Sequence, residues 1–155
     1  MIVACQTNRP GVLHVWLLNE HGVGIKHRQR SIEPGESEQL LELLAGLVHD
    51  ARLPWAKVTG LVVVRGPGPF TPVRTGLVVV NTLGLLKKIP VVGMTSAEEL
   101  NEKRLRSVIH KIKKTPLGHY PRPFYGRAPT ISQPSPWRRA VQRHAGQGHK
   151  RIAAR

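Results

Sequence analysis

The segment Val58–Val64 constrains the fold more than any other part of this sequence, because it is a short and nearly continuous apolar run. Such a run is typical of a central strand that is buried on both faces of a sheet. A strand of this kind needs packed layers on both sides. The elements before and after the run therefore decide the fold class.

The elements before the run predict a meander of strands followed by a helix. Ile2–Thr7, Val12–Leu18 and Val23–Arg30 are separated by turn residues, which predicts three antiparallel strands. Leucines then recur at helical spacing over residues 37–51, and Ser37 is the expected N-cap. This half of the pattern is β-β-β-α.

The elements after the run add two helices and a strand. Residues 66–72 contain three prolines and two glycines, which excludes regular structure there. Val73–Lys88 predicts a helix, Pro90–Met94 a short strand, and the stretch from Ser96 to about Lys114 a last helix. The order β-β-β-α-β-α-β predicts an α/β fold, a mixed sheet with flanking helices.

Charge divides the chain into unequal parts. Of the 24 Lys and Arg, 14 lie in residues 103–155, where there is no Asp or Glu, so this part carries almost all of the net +15. We predict a sheet domain over residues 1–100, a basic helix over 101–114 and a basic, proline-containing, disordered tail over 115–155. Such a tail binds polyanions through their phosphates. A solvated extension without a partner is the alternative.

The N-terminus and the cysteine content indicate the compartment. Cys5 is the one cysteine and lies in an apolar run, so no disulfide can form within the chain. The first residues have no basic region followed by an apolar stretch, and no apolar run approaches the roughly 20 residues of a membrane span. These features predict a cytoplasmic protein without a membrane contact.

No local motif predicts catalysis. The glycines at 66 and 68 are not followed by the Lys-Ser/Thr pair of a P-loop, and there is no Gly-x-Ser-x-Gly. The eight histidines lack the spacing of metal ligands. We therefore expect no catalytic residue, no metal site and no cofactor on this chain.

Two sets of residues are candidates for binding anions. The first is the loop after the apolar run, where glycines turn the backbone and a helix N-terminus presents free N–H groups beside two arginines. The alternative for this loop is a purely structural connection. The second set combines basic and aromatic tail residues, which can hold single-stranded RNA by charge and stacking. The two sets are Arg65, Gly66, Gly68, Thr71 and Arg74, and Arg122, Tyr125, Arg127, Arg138 and Arg139.

The loop also carries a family resemblance. The string Gly-Pro-Gly-Pro-Phe-Thr-Pro-Val-Arg over residues 66–74 resembles the Gly-Pro-Gly-Ser-Phe-Thr-Gly loop of TsaB (YeaZ)-type proteins, which take part in tRNA threonylcarbamoyladenosine (t6A) biosynthesis. The similarity continues through Ile89–Ser96 and, upstream, through Ser37–Leu41 and Ile2–Thr7. It covers about the first 100 residues in collinear order.

The resemblance implies an actin-like, ribonuclease-H-like domain that acts as a non-catalytic scaffold subunit. Its implied partners are a TsaD-type catalytic subunit and a TsaE-type ATPase. A homodimer and tRNA contact through the basic tail are further expectations. ATP or ADP and the metal are expected on the partner subunit. The contact to that subunit is expected on helices 37–51 and 73–88, through Leu40, Leu44, Leu47, Leu77, Val80 and Leu83.

The sequence departs from the family pattern at three points. Gln6 stands where the family usually has an acidic residue, which argues against catalysis. Pro69 and Pro72 stand where it usually has Ser and Gly, so we expect a reshaped loop. Residues 103–155 do not resemble the family's second domain. The alternatives are a small basic RNA-binding protein or degenerate remnant whose sheet domain is only a carrier, and an actin-like enzyme or protease relative.

Overall fold

A computed structural model describes residues 1–33, 39–95 and 102–126 of the chain. The elements follow the predicted order, and a single 3₁₀ turn at Trp55–Lys57 precedes the central strand. The strands are β1 (Ile2–Gln6), β2 (Val12–Leu18), β3 (Gly24–Ser31), β4 (Gly60–Val64) and β5 (Val91–Met94), and the helices are α1 (Gln39–Asp50), α2 (Phe70–Lys87) and α3 (Glu102–Lys114). None of the helices in the described ranges is long and apolar enough to cross a bilayer.

The five strands form one mixed sheet in the order β3-β2-β1-β4-β5. β1, β4 and β5 run parallel, while β2 pairs antiparallel with both β1 and β3. β1 is therefore the pivot of the sheet: Ile2 lies opposite Leu18 on one side and Gly60 on the other. The predicted α/β fold with a mixed sheet and flanking helices is confirmed.

Alternate residues of the central strands supply two separate cores. On one face Val3, Cys5 and Val63 pack under α1 and α2. On the other face Ile2, Ala4 and Val62 pack against α3. Side chains point to opposite faces in turn along a strand, so a continuous apolar run is what two covered faces require.

The start of α2 differs from the prediction. The helix begins at Phe70, three residues before the predicted start at Val73, and Pro72 lies inside its first turn. The first four N–H groups of a helix have no intrahelical partner, so a proline there forfeits no hydrogen bond. The first helical bond runs from Val73 N–H to the Pro69 carbonyl. Pro72 is thus a helix-start residue and does not occupy a position of positive φ.

The beginning of the predicted tail also differs from the prediction. Residues 118–126, which we call the strap, lie across the carboxyl ends of β4 and β5. Phe124 N–H donates to the Arg65 carbonyl over 2.7 Å, and Pro121 is buried. Asn81 Nδ2 donates to the Pro121 carbonyl over 3.3 Å. Disorder from residue 115 onward is therefore wrong for 115–126, while residues 127–155 lie outside the described residues.

Candidate functional site

Most of the residues predicted to form the partner interface belong to the core. Leu40, Leu44, Leu47, Leu77 and Val80 are each at most 3% exposed and pack beneath α1 and α2 against the sheet. Leu83 is partly buried against the same core. The choice of the five buried side chains as a docking surface is therefore wrong, because they pack on the sheet and have no surface left for a partner. Partner contact through the partly buried Leu83 stays a prediction.

The outer side of α2 carries a different set of apolar residues. Val78, Leu85 and Leu86 are 64%, 61% and 70% exposed. Their spacing of seven and eight residues places them on one side of the helix, and we call them the apolar ridge. Leu41 of α1 is also 49% exposed on the same face of the sheet. Soluble helices normally turn polar residues outward, so this ridge is a candidate contact surface.

Sequence reasoning missed the ridge because valines and leucines occur on both sides of α2. The exposed Arg74 and Thr82 mark the outer side, but large apolar residues share that side with them. Two glycines carry the missing signal. Gly76 lies against Thr7 and Gly84 against Val91, so these two positions mark the side that approaches the strands.

The Gly-Pro loop after β4 packs against the end of β1. Gly66 has φ +112°, a conformation that favours glycine, whereas Gly68 does not have positive φ. Asn8 Nδ2 donates to the Pro67 carbonyl over 2.9 Å, and Gly68 lies against the Asn8 side chain. The loop leads directly into the first turn of α2, where Thr71 is the second residue.

The structure brings together the loop and the tail, which the sequence presents as two separate candidates. Arg74 Nε donates to the Tyr125 hydroxyl over 2.7 Å. The Phe70 and Tyr125 rings stack with centroids 4.6 Å apart, and the Arg74 guanidinium lies 3.7 Å from the Phe70 centroid. The Arg65 guanidinium lies 5.7 Å from the Phe124 centroid. Arg127, Arg138 and Arg139 lie outside the described residues.

A cleft of about 1000 Å³ opens between the strap, α2 and the ends of the parallel strands. We call it the basic cleft. Arg65, Arg74 and Arg122 line it together with His119, and none of the described residues in its wall is acidic. Asn81 lines it as well, and its buried Oδ1 has no hydrogen-bond partner in the described part of the chain. The carboxyl ends of parallel strands are a common place for ligand binding in α/β folds.

The end of β1 does not fit a nucleotide and metal site of the actin-like kind. Gln6, Thr7 and Asn8 occupy it, and none of them is a carboxylate that could hold a divalent cation. Within the described ranges no three His, Cys, Asp or Glu side chains could hold a metal together. Burial raises the pKa of the Cys5 thiol to about 12, so this thiol stays protonated and is a poor nucleophile at neutral pH.

Comparison with known proteins agrees with this architecture. The family model described as "TsaD: tRNA N6-adenosine threonylcarbamoyltransferase" matches residues 33–118, more than half of the chain. No curated protein matches the sequence significantly.

Among solved structures, YeaZ from Pseudomonas aeruginosa superposes with a TM-score of 0.55 at 28% identity, covering 61% of this chain and 43% of that one. A second structure is of an uncharacterized protein with similarity to peptidase YeaZ from the same organism. It gives the same TM-score and identity, and the match covers 61% of this chain and 42% of that one. The chain thus spans less than half the length of these relatives. The resemblance to TsaB (YeaZ)-type proteins over the first domain is confirmed, and the chain belongs to the TsaD family.

Proposed function

We propose that this chain is a non-catalytic scaffold subunit in the t6A modification of tRNA, and that it pairs with a TsaD-type catalytic subunit. The observation that carries the proposal is the apolar ridge in a chain of this family. Val78, Leu85 and Leu86 are all more than 60% exposed, which is unusual for three large apolar residues on one helix.

The ridge has the chemistry of a stable protein contact. The centre of such a contact is apolar and low in charge, and a polar rim surrounds it. Lys87 and Lys88 follow the ridge at the end of α2, and Thr82 is exposed beside it. A homologous subunit could present an equivalent pair of helices, so that like surfaces pack on each other. A TsaE-type ATPase would then bind the assembled pair.

The proposal assigns the chemistry to the partner. Gln6 supplies no charged metal ligand at the end of β1, and the buried Cys5 is protonated at neutral pH. The TsaD-type subunit would hold the nucleotide and the metal and would carry out the transfer to adenosine. This chain would position that subunit and hold its active conformation.

The experiment is co-expression with a TsaD-type subunit from the same source, followed by size-exclusion chromatography in about 0.5 M salt. The Debye length is then only about 4 Å, which suppresses association driven by the basic tail. We expect wild-type chain to elute with the partner. Leu85→Asp should abolish the complex, because it places a charge in the centre of an apolar contact.

Leu117→Asp is the matched control. Leu117 is 60% exposed, against 61% for Leu85, and it lies after α3 and away from α2. The same change should leave the complex intact. Equal co-elution of both variants with the TsaD-type subunit would contradict the proposed surface. A homodimer that Leu85→Asp disrupts, without any binding of the TsaD-type subunit, would replace the proposed partner by a second copy of this chain.

A further inference from the structure

We propose that the basic cleft binds a phosphate-bearing nucleotide unit, either free or within a single strand of RNA, through Arg65, Arg74 and Arg122. This site does not rest on the scaffold function, because its three arginines lie outside the apolar ridge and the two share only Val78. It depends on the strap, which supplies Arg122 and which the family resemblance does not cover.

The first observation is uncompensated positive charge. Three guanidinium groups line one cleft, and no ion pair among the described residues involves any of them. The acidic residues with defined partners lie elsewhere: Asp50 pairs with Arg28 and Lys26, and Glu42 with Arg30. Positive charges that line one cleft without an acidic neighbour favour an anionic ligand, and the planar guanidinium matches phosphate geometry with two parallel hydrogen bonds.

The second observation is that Arg74 is held in place while most of its donors stay available. Its Nε–H is used by the Tyr125 hydroxyl over 2.7 Å, and its guanidinium lies on the Phe70 ring. Arginine has five N–H donors, so the four on its terminal nitrogens remain for a ligand. A guanidinium that is already oriented loses less side-chain entropy when a phosphate binds.

The third observation favours a nucleotide over a simple anion. Beside the arginines the cleft has an exposed apolar wall that includes Val78, which is 64% exposed, and Tyr120, which is 37% exposed. A base can lie on such a wall and stack on the Tyr120 ring. A simple anion such as phosphate has no apolar face that would contact this wall.

Two glycines allow the strap to complete the cleft. A Cβ at Gly93 would lie 2.7 Å from the Pro121 Cβ, and one at Gly66 would meet the Phe124 carbonyl. Neither contact is sterically acceptable for a larger residue without movement of the strap. The glycines therefore let the strap lie on the ends of β4 and β5, where Arg122 lines the same cleft as Arg65 and Arg74.

The test measures two probes on the full chain: ADP by isothermal titration calorimetry and a short fluorescein-labelled oligoribonucleotide by anisotropy. We compare Arg65→Ala and Arg122→Ala with Lys57→Ala, which removes the same charge from an exposed residue just before β4, at the opposite end of the strands. The tail is the same in every variant, so a difference in RNA affinity between the variants reports the cleft. Arg122 is exposed, so its removal leaves the core intact.

We expect each arginine variant to bind at least about tenfold more weakly than Lys57→Ala, because hydrogen bonds to charged groups are lost. If the arginine variants bind ADP more weakly than Lys57→Ala does, a free nucleotide is a ligand of the cleft. If they bind only the oligoribonucleotide more weakly and no protein binds ADP, the ligand is the phosphates of an RNA strand. Two results would overturn the proposal. In one, the arginine variants bind both probes as tightly as Lys57→Ala does; in the other, wild type binds neither probe.

Discussion

Three aromatic rings form a compact group on the face of the sheet that α3 covers, where Trp16 packs against the core. Each of His14, Trp16 and His27 stacks against the other two, and the centroids of Trp16 and His27 lie 4.9 Å apart with an interplanar angle of 19°. The ring nitrogens of His14 and His27 lie 3.2 Å apart, so one of them donates to the other. Only a neutral ring can accept this hydrogen bond.

The pKa of His14 lies below its usual range, chiefly because burial removes solvent and then because the charges of His27 and Arg9 are near. The unfolded chain therefore takes up a proton at this residue at higher pH than the folded chain does. Stability from this residue is complete above the unfolded pKa of about 6.5 and is lost as the pH falls toward the lower folded pKa.

We therefore predict that the melting temperature falls as the pH is lowered from about 7.5 to about 5, and that His14→Gln makes this fall smaller. The exposed His110→Gln is the control and should keep the wild-type dependence. Circular dichroism melts over this pH range provide the measurement. Parallel curves for wild type and His14→Gln would contradict the assignment.

Large apolar residues on the two sides of the helix α2 have different roles: one set packs on the sheet and the other forms the apolar ridge. Leu77 is 3% exposed and packs on the sheet, whereas Leu85 is 61% exposed on the ridge. We predict that Leu77→Ala lowers the free energy of unfolding by about 2–5 kcal/mol. Leu85→Ala should change it by no more than about 0.5 kcal/mol.

Urea unfolding of the two variants, with the midpoints read at constant slope, provides the test of this difference. A comparable loss of stability in both variants would mean that the outer side of α2 is already packed within the monomer. The apolar ridge would then not be a docking surface.

The sequence allowed most elements to be predicted, since their signals are local. Period-two and continuous apolar runs place all five strands, and leucine spacing places α1. The prediction was wrong where the signal was ambiguous. Pro69 and Pro72 suggest a loop, yet a proline in the first turn is compatible with a helix. In α2 large apolar residues occur on both sides of the helix, so the sequence predicts a contact surface from residues that the structure places in the core.

The basic cleft could not be predicted because it forms at the scale of the whole molecule. Arg74 and Tyr125 are 51 residues apart in sequence, and no periodic pattern links them. Proline content and charge argued for disorder over residues 115–126, and composition does not report that Pro121 fits beside Gly93. The sequence predicts Arg65, Arg74 and Arg122 as anion-binding residues, but it places them in two separate sites.

In the described part of the chain, a sheet domain of the TsaD family carries the strap across the ends of β4 and β5. The apolar ridge lies on the outer side of α2, and Val78 also lines the basic cleft. A partner on the ridge would therefore lie beside a positively charged cleft. This arrangement would suit a subunit that presents tRNA to a neighbouring catalytic centre.

The most direct test of the scaffold role is reconstituted t6A synthesis. A TsaD-type subunit, a TsaE-type ATPase, unmodified tRNA and a threonylcarbamoyl donor are incubated with and without this chain, and t6A is measured by mass spectrometry of the tRNA digest. We predict that t6A forms only when the chain is present and that Leu85→Asp prevents its formation while Leu117→Asp does not. Equal t6A with and without the chain, or none in its presence, would contradict the proposed function.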